Sequence, residues 1–231
     1  MKNLAKYIDH TFLKAAGDED AVKKLCREAK KFGFASVCVN PAEVALAARL
    51  LKKSETKVCT VIGFPLGANT TDVKTYEAVD AIGNGAEELD FVVNVRLLKY
   101  DPEECLSELY TLASVCKGVK SDVVLKLILE CCYLTDAEKR LGCRLAKKAG
   151  FDFVKTSTGF GTGGATVHDV KLMRKAVGPK MGVKAAGGIR SREDAEAMLA
   201  AGANRLGCSC GVKLVSWSFT IFDGVKYAIA R

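Results

Sequence analysis

The chain has 231 residues, a formal net charge of +8, ten cysteines and two histidines, and nearly half of its residues are apolar. This balance fits a globular protein with a sizeable core, and no apolar run approaches the length of a membrane span. The start, Met1 to Lys6, lacks the apolar stretch of a signal peptide, so a cytoplasmic protein is expected. The cysteines are scattered without a Cys-x-x-Cys pair, which reads as reduced, mostly buried thiols rather than a zinc site or a disulfide framework. Lysines and arginines are dispersed over helices, so the positive charge reads as solvated surface rather than a nucleic-acid patch.

In chain order, Tyr7-Ile8-Asp9-His10 is a short apolar piece ending in polar groups. Asp18-Glu19-Asp20 caps a helix whose residues Val22, Leu25, Cys26, Ala29 and Phe32 recur at helical spacing up to Gly33. Phe34 to Val39 is a strand, and Asn40-Pro41 starts a helix running to about Leu51. Lys57 to Ile62 is a strand, followed by a loop and a helix from about Asp72 to Ile82. Leu89 to Val93 is the next strand, and Asp101-Pro102 opens a helix to about Cys116. Val123 to Leu129 is a strand ending at Glu130, and Thr135 with Glu138 makes the capping box of a helix ending at Gly150. Phe151 to Lys155 reads as a buried strand, followed by a glycine-rich loop and a helix from near Thr166. Gly182 to Ala185 is a strand running into Gly187-Gly188, and Ser191 caps a helix to Ala201. Asn204 to Gly207 is a last short strand before Cys208-Ser209-Cys210-Gly211 and an apolar carboxy-terminal helix.

About eight strands alternate with helices, and the strands are continuous apolar runs, as strands buried on both faces must be. No linker or composition shift divides the chain. The expectation is an α/β protein, a single (β/α)8 TIM barrel spanning residues 1–231. Asp9, Asn40, Asp90, Glu130, Lys155 and Lys184 then fall at or near the carboxy ends of strands, the catalytic face of such a barrel.

Lys155 closes an apolar strand. Its amine either snorkels to the sheet edge and stays solvated, or is desolvated into the neutral form that a Schiff-base nucleophile requires. Lys184 stands on the neighbouring strand, and two ammonium groups in one apolar mouth disfavour each other's charge. Asp90 interrupts Leu89-Asp90-Phe91. If its neighbours face the outer helices, it points inward, either as a structural partner of the lysines or as an acid or base. The loop Gly159 to Gly164 matches a dinucleotide fingerprint only formally, because no acidic residue ends the next strand. Gly187-Gly188 and Gly207 to Gly211 follow strands seven and eight, the usual place of a phosphate pocket in a barrel; tight turns are the alternative.

Several ordered motifs carry a resemblance. They are Tyr-Ile-Asp-His-Thr at 7–11, Val-Cys-Val-Asn-Pro at 37–41, Val-Ile-Gly-Phe-Pro-Leu-Gly at 61–67 and Glu-Glu-Leu-Asp-Phe-Val-Val-Asn at 87–94. Leu-Lys-Leu-Ile-Leu-Glu at 125–130, Phe-Val-Lys-Thr-Ser-Thr-Gly-Phe at 153–160 and Val-Lys-Ala-Ala-Gly-Gly-Ile-Arg at 183–190 complete the set. Together they resemble the deoxyribose-phosphate aldolase family. The resemblance implies a class I aldolase on a (β/α)8 barrel, without metal or cofactor, that cleaves 2-deoxy-D-ribose 5-phosphate reversibly to D-glyceraldehyde 3-phosphate and acetaldehyde. By motif position Lys155 matches the Schiff-base lysine, Lys184 and Asp90 the proton-transfer pair, and Asp9 the acid near the sugar hydroxyls. Thr158, Gly159, Gly187, Gly188, Gly207 and Ser209 are the substrate-binding candidates. The implied partner is a small phosphosugar, with no nucleic acid and no membrane; a monomer and a homo-oligomer both stay open. The chain departs from the family by carrying Cys208 and Cys210 where Ser or Thr is usual, and Ala186 where Ser is common. Thiols donate hydrogen bonds poorly, so phosphate binding would lean on backbone N–H groups and Ser209. An aldolase for another phosphosugar, or a catalytically silent barrel that binds a phosphate ligand, are the alternatives.

Overall fold

The computed structural model describes residues 3–222 and 225–230, and the side chains of residues 3–216. Eight parallel strands close into a barrel in sequence order. They are Ile8–Phe12 (β1), Ser36–Val39 (β2), Lys57–Ile62 (β3), Glu88–Val92 (β4), Val124–Ile128 (β5), Phe153–Lys155 (β6), Gly182–Ala186 (β7) and Arg205–Cys208 (β8). The helices Glu19–Phe32 (α1), Val44–Leu51 (α2), Thr71–Gly83 (α3), Val95–Tyr100 (α4), Pro102–Val119 (α5), Asp136–Ala149 (α6), Val167–Val177 (α7), Arg192–Ala200 (α8) and Gly211–Val215 (α9) connect and surround them. The expected TIM barrel is therefore present.

The helix starts follow their caps. Asp18, Thr70, Asp101, Thr135, Thr166 and Ser191 each accept a backbone N–H from the first turn through a side-chain oxygen. Gly33 and Gly150 end α1 and α6 in the left-handed conformation.

Strand alternation splits the side chains into two populations. Ile8, Val37, Val39, Leu89, Phe91, Leu125, Leu127, Val154, Val183, Ala185 and Leu206 pack outward against the helices in one continuous core. Replacing one of these large residues by alanine costs about 2–5 kcal/mol. The opposite faces point into the barrel. There Cys38, Cys59 and Val61 make a small apolar cluster with Leu13, while Asp9, Glu88, Asp90, Lys126 and Lys184 are buried charges.

Two elements differ from expectation. The short helix α4 lies in a stretch to which the sequence reading assigns no element, and Asn94 caps it by accepting Leu97 N–H at 3.2 Å. The carboxy-terminal helix is limited to α9. Beyond it the backbone forms two antiparallel strands, Trp217–Phe222 (β9) and Val225–Ala230 (β10). Both are rich in the aromatic and β-branched residues that favour strands over helices.

Candidate active site

The chemistry-bearing residues sit on consecutive strands whose register sets them side by side. Asp90 on β4 pairs with Lys126 on β5, Lys155 on β6 with Lys184 on β7, and Lys184 with Arg205 on β8. Since Leu89 and Phe91 face the helices, Asp90 points inward, and three ammonium groups converge on it. Its Oδ2 accepts from Lys155 Nζ at 2.8 Å and Lys184 Nζ at 2.7 Å, and its Oδ1 from Lys126 Nζ at 2.8 Å.

A second layer lies beneath. Asp9 Oδ2 is 2.5 Å from Lys184 Nζ, and Asp9 Oδ1 accepts from Arg205 Nη1 at 2.6 Å. Glu88 pairs with Lys126 at 2.7 Å and with Arg205 at 2.9 Å. Three carboxylates (Asp9, Glu88, Asp90) thus face four cationic side chains (Lys126, Lys155, Lys184, Arg205).

Burial and these charges compete at Asp90, Asp9, Lys184 and Lys126. Burial pushes the Asp90 carboxyl upward, but Lys126, Lys155 and Lys184 outweigh it and hold Asp90 well below the usual carboxylate range. Asp9 is lowered in the same way, with burial opposed by Lys184 and Arg205. For Lys184 burial favours the neutral amine, yet Asp9 and Asp90 prevail and raise it, so it stays cationic. Lys126 is raised likewise, burial being overcome chiefly by Asp90. Cys38, Cys59 and Asp90 bring ligand atoms within 4.8 Å of one another. The three lysine charges on Asp90 oppose a further cation there, so the cluster is a poor metal site.

Above the charged layer a cavity of about 340 Å³ opens at the carboxy ends of the strands. Lys155 is the one member of the charged layer that lines it, together with Gly159, Phe160, Gly187, Gly188, Gly207, Cys208 and Ser209. Asp9, Asp90 and Lys184 lie below, fully buried. Thr158 instead lines a smaller neighbouring cavity and is bonded to Glu130. The glycines allow two loops to meet, since a Cβ on Gly164 would collide with Gly187 O, and Gly187 itself has φ +88°. Lys14 and Arg190 add two cationic side chains to the same wall, and neither pairs with a carboxylate among the described residues. In the loop after β8 the Cys210 thiol donates to Ile189 O at 3.4 Å. Its interaction with the neighbouring Cys208 thiol lowers Cys210 to about 7 and, together with burial, pushes Cys208 well above its ordinary value.

Lys126, Glu88, Arg205, Lys14 and Arg190 were not singled out as site residues by sequence. For the first three a signal exists: each is a charge beside apolar residues within a strand, as Asp90 is. Lys14 and Arg190 lie in loops, where no periodicity assigns a direction.

Among known proteins, the family model of the DeoC/LacD family aldolases matches residues 3–216. A deoxyribose-phosphate aldolase of Caldanaerobacter subterraneus subsp. tengcongensis is 57% identical over 217 residues, 93% of each chain. One from a Thermoanaerobacter species is 58% identical over 215 residues, covering 92% of this chain and 96% of the relative. The tetrameric deoxyribose phosphate aldolase of Aeropyrum pernix superposes with a TM-score of 0.86 at 38% identity, covering 92% of this chain and 89% of that one. With the fold, the ordered motifs and the family model in agreement over more than nine-tenths of its length, the chain belongs to the DeoC/LacD family of aldolases.

Proposed function

We propose that this protein is a class I aldolase that reversibly cleaves 2-deoxy-D-ribose 5-phosphate to D-glyceraldehyde 3-phosphate and acetaldehyde, with Lys155 as the Schiff-base nucleophile. One observation carries the assignment of Lys155: among the described residues it is the only buried lysine bonded to Asp90 that also reaches the cavity. Lys126, Lys184 and Arg205 alone balance the three carboxylates, so the layer does not need the charge of Lys155, the group that must add to the carbonyl.

The amine adds to the aldehyde carbon, and loss of water gives a protonated imine that serves as electron sink. A base takes the proton of the hydroxyl two carbons away, the C–C bond breaks, and glyceraldehyde 3-phosphate leaves. The electron pair of the broken bond becomes the enamine. Protonation of its terminal carbon and hydrolysis of the imine then release acetaldehyde and restore Lys155. Lys184 remains cationic and keeps Asp90 ionised, and Asp90 with a bound water relays the protons. Asp9, matched by motif to the acid near the sugar hydroxyls, fixes Lys184 from below.

The phosphate end of the substrate is assigned to the opposite wall. Arg190, Lys14 and the backbone N–H groups around Gly187, Gly188, Gly207 and Ser209 supply charge and donors there. The reading treats the whole chain as one catalytic barrel. Ten free cysteines support a reducing, cytoplasmic setting, and the tetrameric relative supports a homo-oligomer. Among the described residues no helix is long and apolar enough to cross a membrane.

The test is mass spectrometry after borohydride reduction in the presence of acetaldehyde. A reduced adduct on Lys155, and loss of turnover in Lys155→Ala, are expected. An adduct elsewhere, or faster cleavage of fructose phosphates than of deoxyribose phosphate, overturns the assignment.

A further inference from the structure

Glu130 follows β5 and takes part in none of the steps above, yet its conformation is unusual. Its backbone is left-handed, with φ 54° and ψ 65°, one of only two non-glycine residues with positive φ among the described residues. Such a conformation persists where the surroundings over-determine it. On either side of it, Leu129 N–H donates to Lys155 O and Cys131 N–H to Thr156 O, both at 2.9 Å. The residue is therefore clamped against the backbone of the nucleophile strand.

The residue is 3% exposed, and its carboxylate has no cationic partner among the described residues. Cys132 Sγ approaches Oε1 at 3.8 Å, and the remaining hydrogen bonds come from one residue of the next loop. Thr158 Oγ1 donates to Glu130 Oε2, and Thr158 N–H lies 3.3 Å from Oε1 and 3.4 Å from Oε2. The same hydroxyl accepts Phe160 N–H at 3.0 Å. A Cβ on Gly161 would stand 3.1 Å from Glu130 Cδ, so the carboxyl also fills the space beneath that glycine. A buried carboxylate held by hydrogen bonds alone is costly to retain. What it determines here is the path of Thr158-Gly159-Phe160, and Gly159 and Phe160 wall the cavity above Lys155.

We propose that Glu130 is a positioning residue of the aldolase, which through Thr158 sets the Gly159–Phe160 wall that confines the substrate over Lys155. The proposal rests on the function assigned above. It predicts an effect on substrate binding and none on the ability of Lys155 to form an imine with a small aldehyde.

The experiment compares Glu130→Ala, Glu130→Gln, Thr158→Val and the double variants with the unaltered protein. Steady-state cleavage of deoxyribose phosphate is measured beside the rate of borohydride trapping of acetaldehyde on Lys155. In Glu130→Ala KM rises on the order of tenfold, a change of about 1.4 kcal/mol in binding, while trapping keeps its rate. Glu130→Gln, which preserves shape and one acceptor, lies between. Thr158→Val adds nothing further to either Glu130 variant, because the two residues act as one unit. Should Glu130→Ala not fold, the Glu130→Gln and Thr158→Val cycle carries the same comparison. A fall in kcat or in trapping at unchanged KM, or strictly additive effects of the two positions, overturns the proposal. Failure of the unaltered protein to trap acetaldehyde on Lys155 instead refutes the underlying function.

Discussion

Lys184 Nζ lies 2.7 Å from Asp90 Oδ2, the same oxygen that accepts from Lys155 at 2.8 Å. One carboxylate oxygen thus joins the nucleophile to a cation that stays charged. Asp90→Asn keeps the shape but strands the buried ammonium groups of Lys126 and Lys184 around a neutral amide. The expected outcome is a loss of at least about a hundredfold in kcat, the range of a general acid–base group. Stability should also fall by about 3–5 kcal/mol, as when one partner of a buried ion pair is removed. Turnover of deoxyribose phosphate and urea denaturation measure the two separately. Activity within a factor of three of the unaltered protein would exclude a role for Asp90 in proton transfer.

The same network sets the acid limit of the fold. Asp90 and Asp9 are both held below the ordinary aspartate value of 3.8 when folded. A depressed folded pKa contributes stability that is present above the unfolded value and lost as pH falls toward the folded one. Denaturation midpoints should therefore be flat near neutrality and fall steeply below about pH 4, where the unfolded chain takes up protons that the folded one refuses. Asp90→Asn should weaken that dependence. An equally steep acid limb in Asp90→Asn and in the unaltered protein would show that other carboxylates cause it.

The barrel was legible because its signals are local and repeated. Apolar strands, glycine ends and the Thr135–Glu138 capping box leave little freedom in element type. Inward pointing could be argued for Asp90 from Leu89 and Phe91 on either side. The identical argument for Lys126 between Leu125 and Leu127 exposes a third lysine on Asp90, one that a search confined to strand ends passes over. What no local pattern carries is partnership. Whether Thr158 faces the substrate or Glu130 depends on a contact across 28 residues. Lys14 and Arg190 meet in one cavity only after the barrel closes β1 against β8. The carboxy-terminal strands escape because an apolar run of mixed residues suits a helix or a strand equally, and length cannot decide.

Arg190 and Lys14 should discriminate by phosphate. A charge-assisted hydrogen bond contributes about 1.5–3 kcal/mol, so Arg190→Ala should raise KM for deoxyribose 5-phosphate tenfold or more. With unphosphorylated 2-deoxyribose the same substitution should change kcat/KM little, since the lost donor has no partner on that substrate. Kinetics with both sugars make the comparison. Equal losses on the two would place Arg190 away from the phosphate.

Cys210 lies in the loop after β8, next to Ser209 of the cavity wall, and its thiol donates to Ile189 O. Its thiol, lowered to about 7 beside the Cys208 thiol, ionises near neutral pH, while Cys208 keeps its proton. A thiolate in the loop that receives the phosphate adds a negative charge where an anion must bind. Alkylation of Cys210 by iodoacetamide should therefore rise through about pH 7, because the thiolate is the reactive form. Inorganic phosphate should slow that alkylation by covering the loop. Over the same pH range KM for the phosphosugar should climb, and Cys210→Ser should flatten the climb, because a hydroxyl does not ionise. If KM keeps its pH dependence in Cys210→Ser, the charge that opposes phosphate binding lies elsewhere in the cavity.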